Sequence, residues 1–161
     1  MLCEKQKDRE IGGVITEIFI TAQSGKAMQA VEEVEAIAER GLRGDRYASG
    51  NGTYGGSDEC QVTLIESEDL EEIRRSQGLQ VENGEHRRNL VTRGVRLESL
   101  RGKRFQIGEA VLEFNRPRPP CRYLESITEP GMMRALVGHG GICARVVQSG
   151  KVRVNDAIVI L

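Results

Sequence analysis

Apolar and polar residues alternate along most of this chain in a way that predicts short β-strands. The apolar positions are rich in Val and Ile, and Gly, Pro or Asn residues punctuate them. The predicted strands of the first two thirds are Gly12–Ile20, Gln61–Glu66, Arg88–Thr92, Arg104–Ile107 and Ala110–Asn115. The last two are joined at Gly108-Glu109, which is typical of a β-hairpin.

The C-terminal part of the chain continues the pattern. Strands are predicted at Ile142–Gln148, Lys151–Val154 and Ala157–Leu161, with turns at Ser149-Gly150 and Asn155-Asp156. We expect these three strands to close the chain as a meander. Many short strands with few helices predict a mainly β (α+β) fold, a closed or nearly closed barrel.

Helical signals are few. Ser67 is a predicted N-cap of a charged helix that ends near Gly78, and Pro130-Gly131 introduces a short helix over Met132–Val137. Met28–Arg40 is ambiguous, because Val31, Val34 and Ile37 have helical spacing but Gly41 would end a helix early. The six glycines of Gly41–Gly56 predict a long loop beside a ligand.

The length and composition predict one domain. The chain has 161 residues, and we expect a charged N-terminal tail over residues 1–11 and the barrel over residues 12–161. No signal peptide and no apolar run of transmembrane length is visible, so we expect a cytoplasmic protein with no membrane partner. Its cysteines, none at zinc spacing, are then predicted to be free thiols: Cys3, Cys60, Cys121 and Cys143.

The net charge of -1 hides an uneven distribution. Residues 1–86 carry 9 basic and 18 acidic side chains, whereas residues 87–161 carry 14 basic and 6 acidic ones. Arginine dominates the basic part, and its planar guanidinium group suits phosphate and carboxylate. An anionic ligand or partner is therefore expected near the second half of the chain.

The segment Asn115–Arg122 (NRPRPPCR) holds the most distinctive chemistry. Three prolines stiffen the chain that leads to Cys121, and three arginines surround the thiol in sequence. Guanidinium groups favour the thiolate, which is the form of cysteine that attacks sulfur and binds soft metals. We therefore predict sulfur transfer or soft-metal chemistry at Cys121.

Four motifs, in order, resemble those of MOSC domains, the module named after the C-terminal region of molybdenum-cofactor sulfurases. Gly41–Tyr47 (GLRGDRY) resembles the family's G-x-x-G-D-R-H segment, and Arg87–Gly94 (RRNLVTRG) resembles its Asn-Leu strand. Pro119–Cys121 matches its P-C cysteine, and residues 140–156 resemble its closing hairpin. Tyr47 stands where His is common, and Asn155 stands where Gly usually precedes Asp.

The resemblance implies a barrel-like fold and two chemistries for Cys121. In one, Cys121 accepts sulfane sulfur as a persulfide from a pyridoxal-phosphate cysteine desulfurase. It then delivers the sulfur to molybdenum cofactor, through a molybdoenzyme or cofactor-assembly acceptor, or to another metal-sulfur centre. In the other, Cys121 ligates the molybdenum of a bound pterin cofactor (molybdopterin), as in members that reduce N-hydroxylated compounds. Those reductases usually carry a further domain or extension; we expect neither here, which favours the first chemistry.

Anion-binding candidates follow from residue type and position. Such a pterin carries a phosphate, so the predicted ligand-binding residues are Arg46, Arg87, Arg88, Asn89, Arg118 and Arg145. We expect Asp45 to be structural, bonding loop N–H groups or orienting Arg46. His86 is expected to face solvent, and His139 is the better candidate for acid–base work.

The function predicted first is therefore a sulfur carrier with Cys121 as the reactive residue and no tightly bound cofactor. The alternative is a molybdenum-cofactor-binding protein with Cys121 on the metal. Whether the chain is an enzyme, a sulfurtransferase-like protein or a molybdenum-dependent reductase, the sequence leaves open. A barrel that binds nucleic acid or another polyanion is third, because stacking aromatic residues are few and the overall charge is balanced.

Overall fold

The computed structural model describes residues 10–49 and 60–161. Four short helices accompany the strands: α1 (Arg46–Ser49), α2 (Ser67–Gln77), α3 (Arg122–Ser126) and α4 (Met132–Ala135), with a 3-10 helix at Leu97–Leu100. The strands are β1 (Glu10–Ile20), β2 (Gln29–Val31), β3 (Glu33–Ile37), β4 (Gly41–Leu42), β5 (Val62–Glu66), β6 (Leu90–Arg93), β7 (Arg104–Ile107), β8 (Ala110–Pro117), β9 (Ile142–Gln148), β10 (Gly150–Arg153) and β11 (Ala157–Ile160).

Seven of these strands form a closed barrel. The order β11-β7-β8-β9-β5-β6-β1 is completed by pairing between β1 and β11, with Ile11 opposite Val159. Each neighbouring pair is antiparallel except β5 and β6, which α2 connects as a parallel pair. The predicted mainly β barrel is thus confirmed.

Two apolar clusters stabilise the barrel and its helices. The interior holds alternate residues of the strands, for example Ile15, Leu64 and Phe105, all fully buried. A second cluster packs α2, α3 and α4 against the outer face of β5 and β6, through residues such as Ile65 and Leu124. Cys121 lies at the edge of this second cluster.

A small sheet of β10, β3 and β4 lies beside the barrel; it resolves one ambiguous segment and corrects one prediction. Met28–Arg40, whose pattern is ambiguous, contains strands, and Glu33–Ile37 alternates exposed and buried residues with a period of two. The predicted C-terminal meander is wrong, because β10 pairs with β3 and not with β9. The chain leaves the barrel at Ser149 and returns to it at β11.

The remaining element predictions mostly hold. The β7–β8 hairpin turns at Gly108-Glu109 as predicted, and Gly78 ends α2 in a left-handed conformation with φ 67°. Ser67, however, is the first residue of α2, and Glu66 is the N-cap. Asn155 adopts φ 76°, so it supplies the left-handed turn that glycine would otherwise supply.

Several predictions fall outside the described residues. They are the charged tail as far as residue 9, including Cys3, and residues 50–56 of the glycine-rich loop. The described part of that loop forms β4 and α1. Within the described residues, no helix combines the length and the apolar character needed to cross a bilayer.

The prediction of free thiols is wrong for two cysteines. Cys60 and Cys143 form a disulfide, with their Cα atoms 5.2 Å apart. Antiparallel pairing of β5 with β9 places Cys143 opposite Thr63, close to the chain that enters β5. The 83-residue separation in sequence gave no sign of this proximity, which depends on barrel topology.

Reducing this disulfide should lower thermal stability. The bond closes a chain segment of 83 residues, so its loss should increase the entropy of the unfolded state by the equivalent of about 4.5 kcal/mol. Thermal unfolding with and without a reductant measures the effect. A Cys60→Ala/Cys143→Ala double variant should unfold as the reduced wild type does and should be insensitive to reductant. Equal melting temperatures for wild type in both conditions would contradict the expectation.

Candidate functional site: a thiol in a cationic pocket

Cys121 lies between the prolines that follow β8 and the first residue of α3. It is half-buried and is the free cysteine of the described residues. It has extended backbone (φ -135°, ψ 164°) and caps the N-terminus of α3. One side of the residue packs on the apolar cluster around α3, and the other lines a narrow pocket of about 30 Å³. The sulfur is therefore neither in the core nor fully open to solvent.

Four of the six predicted ligand-binding residues line this pocket with Cys121. They come from three separate parts of the chain, namely α1, the segment before β6 and the end of β8, and they are Arg46, Arg87, Arg88 and Arg118. Arg46, Arg87 and Arg88 are at most 9% exposed. A buried guanidinium group is costly unless it has hydrogen-bond or ionic partners. The contacts of these three arginines therefore show how their charge is stabilised.

Main-chain carbonyl oxygen atoms hold much of this positive charge. Arg88 donates from Nε to Gly140 O (2.8 Å) and from Nη1 to His86 O (3.2 Å). Arg87 donates from Nη1 to Lys26 O, and Arg46 donates from Nη2 to Arg87 O (3.0 Å). A carbonyl group fixes a guanidinium group through its dipole but does not neutralise its charge. The pocket therefore stays cationic.

Asp45 and Tyr47 complete the arrangement around Arg46. The fully buried Asp45 carboxylate accepts bonds from Thr21 N (3.1 Å), Arg46 Nη1 (3.1 Å) and Tyr47 N (3.3 Å). The predicted structural role of Asp45 is therefore confirmed. The Tyr47 hydroxyl oxygen accepts bonds from Arg46 (3.4 Å) and Arg118 (3.3 Å), and Arg46 also stacks over the Tyr47 ring.

Local backbone geometry explains how consecutive arginines reach one pocket. Neighbouring residues of an extended chain point to opposite sides. Arg87 instead adopts φ 69°, in the left-handed region, and its N–H bonds to Gly84 O (2.9 Å). Non-glycine residues rarely adopt this conformation, which costs roughly 1 kcal/mol. The turn lets Arg87 and Arg88 line the same pocket.

Two glycines position the opposite wall. A Cβ on Gly140 would lie 2.2 Å from Arg118 O, and one on Gly141 would lie 1.9 Å from Leu64 O. Without side chains, the loop approaches β5 closely enough for Gly141 O to accept the Arg118 N–H (2.9 Å). Gly140 O meanwhile binds Arg88. The glycines thus place two of the four arginines.

Electrostatic interactions link these groups to the thiol. Burial, reinforced by the Arg118 guanidinium group, lowers the pKa of Arg88 to about 10, while Tyr47 and Cys121 oppose this shift. Burial and the charge of Arg46 lower the pKa of Arg87. An Arg88 pKa of about 10 still leaves that group protonated near neutral pH. Arg88 Nη2 is buried and has no hydrogen-bond partner among the described residues.

His86 is a component of the site that the sequence reasoning missed. It was expected to face solvent, but it is fully buried behind Arg88, with its ring edge-on to Phe19. Its Nδ1 atom accepts the Arg88 N–H (2.9 Å), which requires a ring nitrogen without a proton. Burial and the charges of Arg88 and Arg87 lower the His86 pKa to about 3. The imidazole is therefore neutral and fixes the Arg88 backbone.

The two other predicted ligand-binding residues do not line the pocket. Asn89 is fully buried, where its Oδ1 accepts from Thr63 N and Oγ1 (3.0 Å each) and its Nδ2 donates to Phe19 O (3.1 Å). It links β5 and β1 across the segment before β6. Arg145 lies on β9, where Nη2 contacts Glu39 (2.7 Å). The structure does not bring either residue to Cys121.

His139 is also engaged elsewhere. Its Nδ1 atom lies 2.9 Å from Asp69 Oδ1 on α2, and the residue does not line the Cys121 pocket. The contact ties the Gly138–Gly141 loop to the helix. This placement favours a structural role over the predicted acid–base role.

Two larger clefts flank the narrow pocket. One has a volume of about 470 Å³, is lined by residues of Pro117–Pro120, α4 and Gly138–Gly141, and shares Arg118 with the pocket. The other, of about 460 Å³, is lined mostly by polar groups such as Gln80 and Glu129 and shares Arg87 and Ile127. A ligand at Cys121 can thus extend in either direction.

Comparison with known families agrees with this arrangement. The family model of the MOSC domain matches residues 51–159, which is more than half of the chain. This protein therefore belongs to the MOSC family. No curated protein sequence matches the chain significantly.

Solved structures share the fold. The YUAD protein from Bacillus subtilis superposes with a TM-score of 0.75 at 19% identity, covering 95% of this chain and 97% of that one. YiiM from Escherichia coli gives a TM-score of 0.66 at 19% identity, covering 92% of this chain and 69% of that one. YiiM from Geobacillus stearothermophilus gives 0.67 at 18% identity, with coverage of 95% and 75%. These TM-scores show a common fold.

Acid should destabilise the protein through His86. The folded-state pKa of His86, about 3, is below the ordinary imidazole value of 6.5. The unfolded chain therefore binds a proton at a higher pH, and stability falls as the pH drops below 6.5. We expect a loss of about 2 kcal/mol by pH 5. Urea unfolding at pH 7 and pH 5 measures it.

The control for this experiment is His86→Asn, whose side-chain oxygen can still accept the Arg88 N–H. Its stability should depend much less on pH over the same range, whatever its absolute value. A variant with the same slope as wild type would show that other groups cause the acid sensitivity.

Proposed function

We propose that Cys121 carries sulfane sulfur as a persulfide, received from a pyridoxal-phosphate cysteine desulfurase in the cytoplasm and delivered to molybdenum cofactor or another metal-sulfur centre. One observation carries this proposal: a free, half-buried thiol lines a pocket whose positive charge is held mainly by carbonyl groups. Guanidinium groups in such a pocket can bind the anionic sulfur of a persulfide.

The transfer step is a thiol exchange. The Cys121 thiolate attacks the outer sulfur of the donor's persulfide, and the donor cysteine leaves as a thiolate. One S–S bond forms and one breaks, so no external oxidant or reductant is needed. The outer sulfur of the new persulfide is also anionic, and the Arg88 guanidinium group, which belongs to a residue lining the same pocket, is suited to bind it.

The size of the pocket agrees with this chemistry. Its volume of about 30 Å³ accommodates a group of roughly the size of one water molecule. One additional sulfur atom on Cys121 is such a group. The half-buried position would shield the persulfide from bulk thiols, while the side facing solvent admits a donor sulfur.

The test is the mass of the intact protein after incubation with a purified desulfurase and L-cysteine. Wild type should gain one sulfur that dithiothreitol removes, because dithiothreitol reduces persulfides. Cys121→Ala should gain none. The Cys60→Ala/Cys143→Ala variant is the matched control and should load as wild type does. Loading on Cys121→Ala, or none on wild type, would reject the proposal.

A second candidate, molybdenum-cofactor binding, is favoured by the two clefts that adjoin the pocket. The residues present fit such a group: Cys121 offers a thiolate for the metal, and Arg46, Arg87, Arg88 and Arg118 offer donors for its phosphate. The bound cofactor would supply two-electron redox chemistry at the metal. The arginines would bind its anionic groups, and the apolar side of Cys121 would exclude water.

Metal analysis and pterin fluorescence of protein from a cofactor-producing host separate the two candidates. Cofactor binding predicts about one molybdenum and one pterin per chain, and Arg88→Leu should reduce both. Their absence, together with persulfide formation on Cys121, would leave the carrier function alone.

A further inference from the structure

The larger cleft beside Cys121 has the features of a protein-docking groove. Its floor and sides are mostly apolar, with Pro119, Pro120 and Leu136 among the residues, and its rim includes Val137, which is 65% exposed. Large exposed aliphatic side chains are few in the described residues. The one that lies beside the candidate site therefore indicates a surface that a partner covers.

Two exposed arginines are sequence neighbours of residues that line the Cys121 pocket or the groove. Arg122 follows Cys121, and Arg134 follows Met133, which lines the groove; both arginines are exposed. Neither forms an ion pair with any residue that the structure describes. Elsewhere, exposed arginines commonly do, as in Arg43–Glu35 (3.0 Å), Arg104–Glu113 (3.0 Å) and Arg153–Glu33 (3.1 Å).

The groove also adjoins the candidate site. It shares Arg118 with the Cys121 pocket, and Pro119 and Pro120 connect the two along the chain. The pocket itself, at about 30 Å³, cannot admit a folded surface. A protein that donates sulfur must therefore present its persulfide on a narrow segment that reaches the pocket. The residues on either side of that segment then bind outside the pocket.

We infer that this groove binds an acidic, extended segment of the protein that donates sulfur to Cys121. Apolar side chains of the segment lie against the prolines and Val137, and its carboxylates pair with Arg122 and Arg134. Complementary charge increases the rate of association and orients the partner. The inference rests on the proposed carrier function and assigns its partner-binding surface.

The experiment compares two sulfur donors. One is a purified pyridoxal-phosphate cysteine desulfurase with L-cysteine, and the other is glutathione persulfide, which needs no docking surface. The initial rate of persulfide formation on Cys121 is followed by intact mass for wild type, Arg134→Glu and Val137→Ser. Arg40→Glu is the matched control, because Arg40 is exposed and forms no ion pair with a described residue, but lies in the β3–β4 turn of the small sheet.

Arg134→Glu should load about tenfold more slowly from the desulfurase, since a repulsive charge replaces an attractive one. Val137→Ser should also slow this reaction. Both variants should react with glutathione persulfide at the wild-type rate, and Arg40→Glu should be unaffected with either donor. Added salt should reduce the difference between wild type and Arg134→Glu.

Other results would overturn the inference in distinguishable ways. Wild-type rates for both groove variants with the desulfurase would exclude this surface while leaving the carrier function intact. No loading of wild type from either donor would reject the carrier function, and the docking inference with it. A dimer in sedimentation that Val137→Ser dissociates would assign the groove to a second copy of the chain.

Discussion

The architecture around Cys121 depends on how this chain buries guanidinium groups. Arg87 and Arg88 are removed from water but bind to the carbonyl oxygens of Lys26, His86 and Gly140. A carboxylate in these positions would cancel the charge, whereas a carbonyl group only fixes it. The barrel and its connecting loops therefore hold fixed positive charge against a thiol, and that charge is available to a ligand.

Such an arrangement requires a rigid frame. A main-chain carbonyl group cannot move with a mobile side chain, so the backbone must hold its oxygen atom in the direction of the guanidinium group. The frame comes from main-chain contacts of the barrel. Asn89 bonds to Phe19 and Thr63 and so fixes the segment that carries His86, Arg87 and Arg88 to two barrel strands. The Gly140-Gly141 loop lies directly against β5. Asn89 and the two glycines, which do not line the Cys121 pocket as candidate ligands, thus determine the positions of the arginines.

Sequence patterns predicted the barrel and the pocket residues that depend on local features. Strand periodicity, turn residues and the Pro-Pro-Cys segment are local, and the motifs around Arg46, Arg88 and Cys121 converge as expected. The patterns failed where tertiary contacts decide the outcome. His86 lies in a charged stretch and yet is buried, because the left-handed turn at Arg87 directs it inward. The Cys60–Cys143 bond likewise depends on the pairing of β5 with β9, which no local pattern encodes.

Tyr47 shows how a departure from the family pattern can be read physically. A neutral imidazole has one acceptor nitrogen, whereas a phenol oxygen can accept two hydrogen bonds. In this protein both acceptor positions are used, one by Arg46 of α1 and one by Arg118, which follows β8. The tyrosine therefore holds together two like charges that would otherwise repel each other. It also leaves the hydroxyl proton free to point away from both arginines, since a guanidinium group accepts no hydrogen bond. Where the resemblance leads us to expect histidine, this chain thus strengthens the cationic pocket and does not weaken it.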